Sequence, residues 1–220
     1  MSPTATTTPM PAGRRREIAR SPSPRNHTPR SPRVAQRRER MRQTVLRVGA
    51  KMFLERGIEN VSVEEILEAA GLARSTFYSF FTSKRDLLFH ILDPIFQTGV
   101  AHMQGLKGKS PADMVYGVID MYPMLWECFG EALFLRIGHD EFKLIEKTHN
   151  QYVAMLGVLF DEIEPAGILR NGSSAHTQRL IARCAIDVVR VYRNDPDFKR
   201  LYRTTMEGML LTDDAHRPSA

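Results

Sequence analysis

The chain has 220 residues, a formal net charge of +6, 42% hydrophobic and 25% charged residues, and two cysteines. That composition is globular, and the length suits one large domain or a small module joined to a larger one. No run of about 18 apolar residues could span a membrane. The arginine-bearing N-terminus lacks the apolar core of a secretory signal. Cys128 and Cys184 lie far apart without a partner motif, which argues against a disulfide framework or zinc site and for a reducing, cytoplasmic compartment.

The charge is uneven. Residues 1–42 hold eleven arginines against Glu17 and Glu39, a net of +9, which leaves −3 for the remainder. A basic end on a mildly acidic body points to a polyanion at that end. Residues 1–33 are rich in Ser, Thr, Pro and Arg and too poor in apolar groups to offset chain entropy. They are expected to be a disordered basic tail, either an arm along phosphates or a solvated leader.

From Val34 onward the pattern is helical. Met41, Val45, Val48, Met52 and Phe53 recur at spacings of three and four, and Gly57 closes that helix. Ser62 precedes VEEILEAA with Glu65 three residues on, a capping box that opens a short helix ending at Gly71. A third helix is expected over 74–81. Ser83 is placed to cap a fourth, with Asp86 at its third position. Further helices are expected over 84–106, 111–129, 131–137, 140–163, 173–193 and 196–211, with Pro94 and Pro123 each causing a kink or break. No segment alternates with a strand period between turn signals, so the fold class is all-α.

Two short helices joined by a Gly-Leu-Ala turn make a helix-turn-helix. The second helix of such a unit enters the major groove with its N-terminal residues at the base edges. Arg74 suits bidentate bonding to guanine, Ser75 and Thr76 suit bases or phosphates, and Phe77 is expected against a thymine methyl. Tyr78 carries a hydroxyl for a phosphate oxygen, and Ser83 and Lys84 mark a helix N-terminus that favours anions. Ser62 belongs to the same set.

The stretch from Gln43 to Leu88 resembles the DNA-binding domain of the tetracycline-repressor (TetR) family. The likeness rests on Ala50, Phe53, Glu55-Arg56-Gly57, Ser62-Val63, Ile66, Ala70-Gly71, Thr76, Tyr78, Phe81, Lys84 and Leu87. Ser75 stands where the family often has Gly, Phe80 where a hydrogen-bonding aromatic is common, and Leu67 where Ala is usual. The first two bear on which bases and phosphates are touched. The resemblance implies an all-helical homodimer with a DNA-binding domain at 34–83, a ligand-binding and dimerisation domain at 84–211, and a disordered tail at 212–220. It implies that the last two helices pair with those of the partner. Ile181, Cys184, Ala185, Val188, Val189 and Tyr192, then Leu201, Tyr202 and Met209, lie on faces suited to that packing or to the chain's own core.

The middle of the chain is rich in Met and aromatics, which fill irregular space and line adaptable sites. Phe96, Met103, Met121, Tyr122, Trp126, Phe129, Tyr152 and Met155 are expected around a pocket, with Arg136 and His149 as its polar groups. A mostly neutral pocket favours a fatty acid or acyl thioester, with aromatic drugs or phenols as the competing class. The histidines show no metal-ligand spacing, and no catalytic arrangement or cofactor motif is present. The expected function is a ligand-responsive transcriptional regulator, a repressor released from a near-palindromic DNA operator by an apolar effector. The alternative is a small-molecule-binding or enzymatic bundle with a vestigial reading head.

Overall fold

The computed structural model describes residues 32–213. Helix α1 runs Pro32–Arg56, α2 Val63–Ala70, α3 Arg74–Tyr78, α4 Lys84–Gln104 and α5 Pro111–Phe129. A 3-10 turn at Gly130–Phe134 leads to α6 at His139–Ile163, α7 at Ser174–Tyr192 and α8 at Phe198–Leu210. Among the described residues the one β-type pairing is an isolated bridge, Leu169 with Leu211. The chain is all-α. Of the expected N-terminal tail only Pro32 and Arg33 are described, and they open α1. Of the C-terminal one only Thr212 and Asp213 are described.

Local chemistry sets the boundaries. Gly57 adopts φ +83° after α1, a conformation other residues resist. Ser62 caps α2: its hydroxyl accepts from the Glu65 amide at 3.2 Å while the Glu65 carboxylate accepts from the Ser62 amide at 2.8 Å. Gly71, at φ +64°, ends α2 and turns the chain toward α3. Ser83 and Ser110 cap α4 and α5 through their hydroxyls, which accept from the Asp86 and Asp113 amides.

Three expectations change. Helix α3 ends at Tyr78 rather than Phe81, because Ser79 turns its hydroxyl back onto the Thr76 carbonyl at 2.7 Å. The helix expected over 131–137 is a 3-10 turn followed by extended chain. Ala132, Leu133 and Phe134 are all buried, which a single-faced helix does not permit. Of the kink or break expected at Pro94 and Pro123, the break does not occur: both helices run on, and Pro123 lies buried in α5, where packing outweighs the missing hydrogen bond.

The core is continuous. Val45, Ala50 and Phe53 of α1 meet Ile66, Phe77, Phe81 and Leu87. At Gly49 a Cβ would stand 3.1 Å from Leu87, so α1 and α4 approach closely there. α4 packs along α6, and α7 along α8.

Candidate nucleic-acid interface and interior cavity

The α2–α3 pair has an apolar side and a wet side. Phe77 is fully buried, with its ring 5.4 Å from Phe81 and 5.2 Å from Tyr78. It is core, not the base contact expected of it, because a five-residue helix must spend its one large apolar side chain inward. Arg74, Ser75 and Tyr78 are exposed, and Thr76 is partly buried. Arg74 pairs with Glu64 of α2 at 2.9 Å and lies 5.6 Å over the Tyr78 ring. Its cation is therefore positioned but remains two-thirds exposed.

Lys84 does not stand free for an anion. Its ammonium donates to the carbonyls of Ile58 at 2.9 Å and Val61 at 3.0 Å, clamping the α1–α2 loop to the start of α4. Ser83 remains exposed as the α4 cap, and Asp86 accepts from the Thr82 amide at 2.7 Å. That carboxylate already answers the positive end of α4. Ser62 is engaged in its capping box. Glu65 is held down at about 2 by the Ser62 amide and hydroxyl, with Arg56 beside it. Sequence reasoning missed Arg38 of α1, which donates to the Ser79 carbonyl at 2.7 Å and lies 4.9 Å over Phe80. It brings a guanidinium to the end of α3, where Phe80 offers no polar group. Its signal is the basic run before Met41, too regular to single out one arginine.

A cavity of about 580 Å³ lies among α4, α5, α6 and α7. Of the residues expected around a pocket, Phe96, Tyr122, His149 and Tyr152 line this cavity. Leu92, Ile95, Leu133, Leu135, Ile137, Gln178, Arg179 and Ile181 join them. The Tyr152 hydroxyl donates to that of Tyr122 at 2.8 Å. Burial pushes Tyr122 up to about 12 and Tyr152 well above the usual phenol range, so both are neutral near pH 7.

Six expected pocket residues lie elsewhere. Met103 and Met121 are fully buried packing, and Met155 is partly buried against the core. Trp126 stacks on Phe134 at 5.0 Å, and with Phe129 it lines a separate groove of about 790 Å³ beside α1. Arg136 is exposed because it sits in extended chain between Leu135 and Ile137, whose side chains take the cavity side. The charged group at the cavity is Arg179, on a helix whose apolar stripe drew attention to pairing instead.

On α7 and α8 the expected pairing faces divide. Ile181, Ala185, Val189 and Tyr202 are buried within this chain's own core. Cys184, Val188 and Tyr192 of α7, and Leu201 and Met209 of α8, remain partly exposed, beside Val191, which is 72% exposed. A Cβ on Gly208 would meet nothing within 4 Å.

A family model described as bacterial regulatory proteins, tetR family, matches residues 45–91. An HTH-type transcriptional regulator of Staphylococcus aureus is 29% identical over 72 residues, 33% of this chain and 39% of that protein. The chain thus spans little more than a third of the curated relatives it matches. Among solved structures, the ketosteroid transcriptional regulator of Mycobacterium tuberculosis aligns with a TM-score of 0.65 at 19% identity, covering 78% of this chain and 95% of that one. The fatty acid degradation regulator of Bacillus halodurans aligns with a TM-score of 0.61 at 17% identity, covering 80% of this chain and 97% of the other. At those identities the likeness is one of fold, and it extends well past the matched N-terminal region.

Proposed function

We propose that this chain, a member of the tetR family of bacterial regulatory proteins, is a DNA-binding transcriptional regulator whose grip on DNA is set by an apolar small molecule. The observation that carries this reading is the two-sided α3: Phe77 and Phe81 fill the core while Arg74, Ser75 and Tyr78 stay in solvent. A surface of guanidinium, hydroxyl and phenol at the start of a helix-turn-helix recognition helix has the chemistry for base edges and phosphates. Arg38 adds a phosphate contact at the other end of α3.

Residues 34–83 then act as the reading head and 84–211 as the regulatory part. Two copies pair through the partly exposed faces of α7 and α8, setting two α3 helices at successive major grooves of a near-palindromic site. The cavity holds the effector. The neighbours named for ketosteroid regulation and fatty acid degradation support an apolar one. α4 carries the signal, because Leu92, Ile95 and Phe96 line the cavity while Lys84 at its start clamps the reading head. Arg85 adds a bond to the Asp140 carbonyl at the start of α6, 2.9 Å long. The effector acts by binding one head spacing better than the other, and release of a repressor is the outcome we propose.

Selection of bound duplexes from a random DNA pool tests this. A recovered palindrome whose affinity falls by roughly 10³–10⁵ between 50 and 200 mM salt is expected for about six to ten phosphate contacts. Recovery of no consensus would favour the alternative of a ligand-binding bundle with a vestigial head.

A further inference from the structure

We infer that the cavity selects an effector carrying a neutral hydroxyl or carbonyl on an otherwise apolar body, recognised by His149, Tyr152 and Tyr122. This rests on the reading of the cavity as the effector site. His149 and Tyr152 stand one turn apart on α6, so their side chains share a face. Phe96 lies edge-on to both, with centroids 5.3 and 5.8 Å away. Phe142 closes on His149 at 4.9 Å.

The patch is polar and incompletely satisfied. His149 Nδ1 is buried and has no hydrogen-bond partner among the described residues. A neutral imidazole carries one donor and one acceptor. Tyr152 spends its proton on Tyr122, so the Tyr152 oxygen keeps its acceptor capacity and Tyr122 keeps a donor. The two phenols, neutral near pH 7, offer a donor and an acceptor, and the imidazole adds a further hydrogen-bonding group.

The rest of the cavity decides what can meet that patch. Among the described residues no carboxylate lines it, and the one arginine that does, Arg179, is exposed on α7. A carboxylate brought to the phenols would lose its water without gaining a cation. A hydrocarbon would leave the patch unanswered. A hydroxyl or carbonyl satisfies it at little desolvation cost, and sites built around such bonds reject analogues that lack them.

The full-length protein is loaded with the neutral fluorophore N-phenyl-1-naphthylamine. Displacement is then measured for 4-octylphenol, octylbenzene and 4-octylbenzoate, which share one apolar body. The phenol is expected to compete about tenfold more tightly than the other two, the order of one hydrogen bond. His149→Phe and Tyr152→Phe should each lower the phenol to the level of octylbenzene, and Tyr122→Phe is an independent third variant should either fail to fold by thermal unfolding. Equal competition by all three compounds would overturn the head-group assignment while leaving the cavity in place. Strongest competition by the benzoate, abolished in Arg179→Ala, would overturn it in favour of a charged head at the cavity mouth. Failure of the fluorophore to bind at all would remove the cavity reading together with this one.

Discussion

Phe77 and Tyr78 are neighbours in sequence and opposites in environment. One is fully buried and the other 49% exposed. Phe77→Ala should cost about 3–5 kcal/mol of stability, the range for truncating a buried Phe, read as a fall in Tm. Lys84→Met should leave the Ile58 and Val61 carbonyls unpaired and cost about 1–3 kcal/mol, again by thermal unfolding. The Ser62–Glu65 box gives a pH signature. The folded Glu65 carboxyl, at about 2, lies below its ordinary 4.5. Its stabilisation is therefore fully present above about pH 4.5 and lost as the pH falls through about 2. The Tm gap between wild type and Ser62→Ala should be constant above that window and narrow within it. The capping box was legible because both partners lie within four residues. The fate of Phe77 was not, since five residues are too few to show which side of a helix faces inward.

At the scale of elements, α4 and α6 are tied by a buried carboxylate. Asp93, only 6% exposed, accepts from the Thr148 hydroxyl at 2.6 Å and from the Gln97 amide. The tie sits one residue from His149, beside the cavity wall. Thr148→Val keeps the shape and removes the donor. It should cost about 1–3 kcal/mol by denaturant unfolding, and an unchanged midpoint would show that the bond is not needed. Helix existence was legible in the apolar spacing of nearly every element. Which partner a stripe faces was not. Ile181, Ala185 and Val189 repeat at four residues whether they cover this chain's core or another copy's. The wall supplied by Arg179 and Gln178 comes from the same helix, and only tertiary packing reveals it.

For the whole molecule, the all-α fold and the N-terminal helix-turn-helix were readable because turn chemistry, caps and periodicity agree. The cavity was readable only in outline. Met-rich composition announces irregular packing, but Met103 and Met121 fill space while Leu, Ile and two tyrosines line it. The proposed dimer reading two grooves would pair through the faces left partly exposed. Val188→Glu should yield a folded monomer in sedimentation and weaken operator binding at least tenfold, since one half-site cannot supply the contacts of two. A dimer of undiminished stability would move the interface away from α7.

The most direct test of DNA reading by α3 is the affinity of Arg74→Ala and Tyr78→Phe for the duplex selected by the wild type, with Tm measured alongside. Both variants should keep the wild-type Tm, because neither side chain is buried. The Arg74 variant should bind about tenfold or more weakly, as expected for losing a bidentate base contact, and the Tyr78 variant should bind more weakly through a lost phosphate contact. Undiminished binding by both folded variants would contradict the account and take α3 out of DNA recognition.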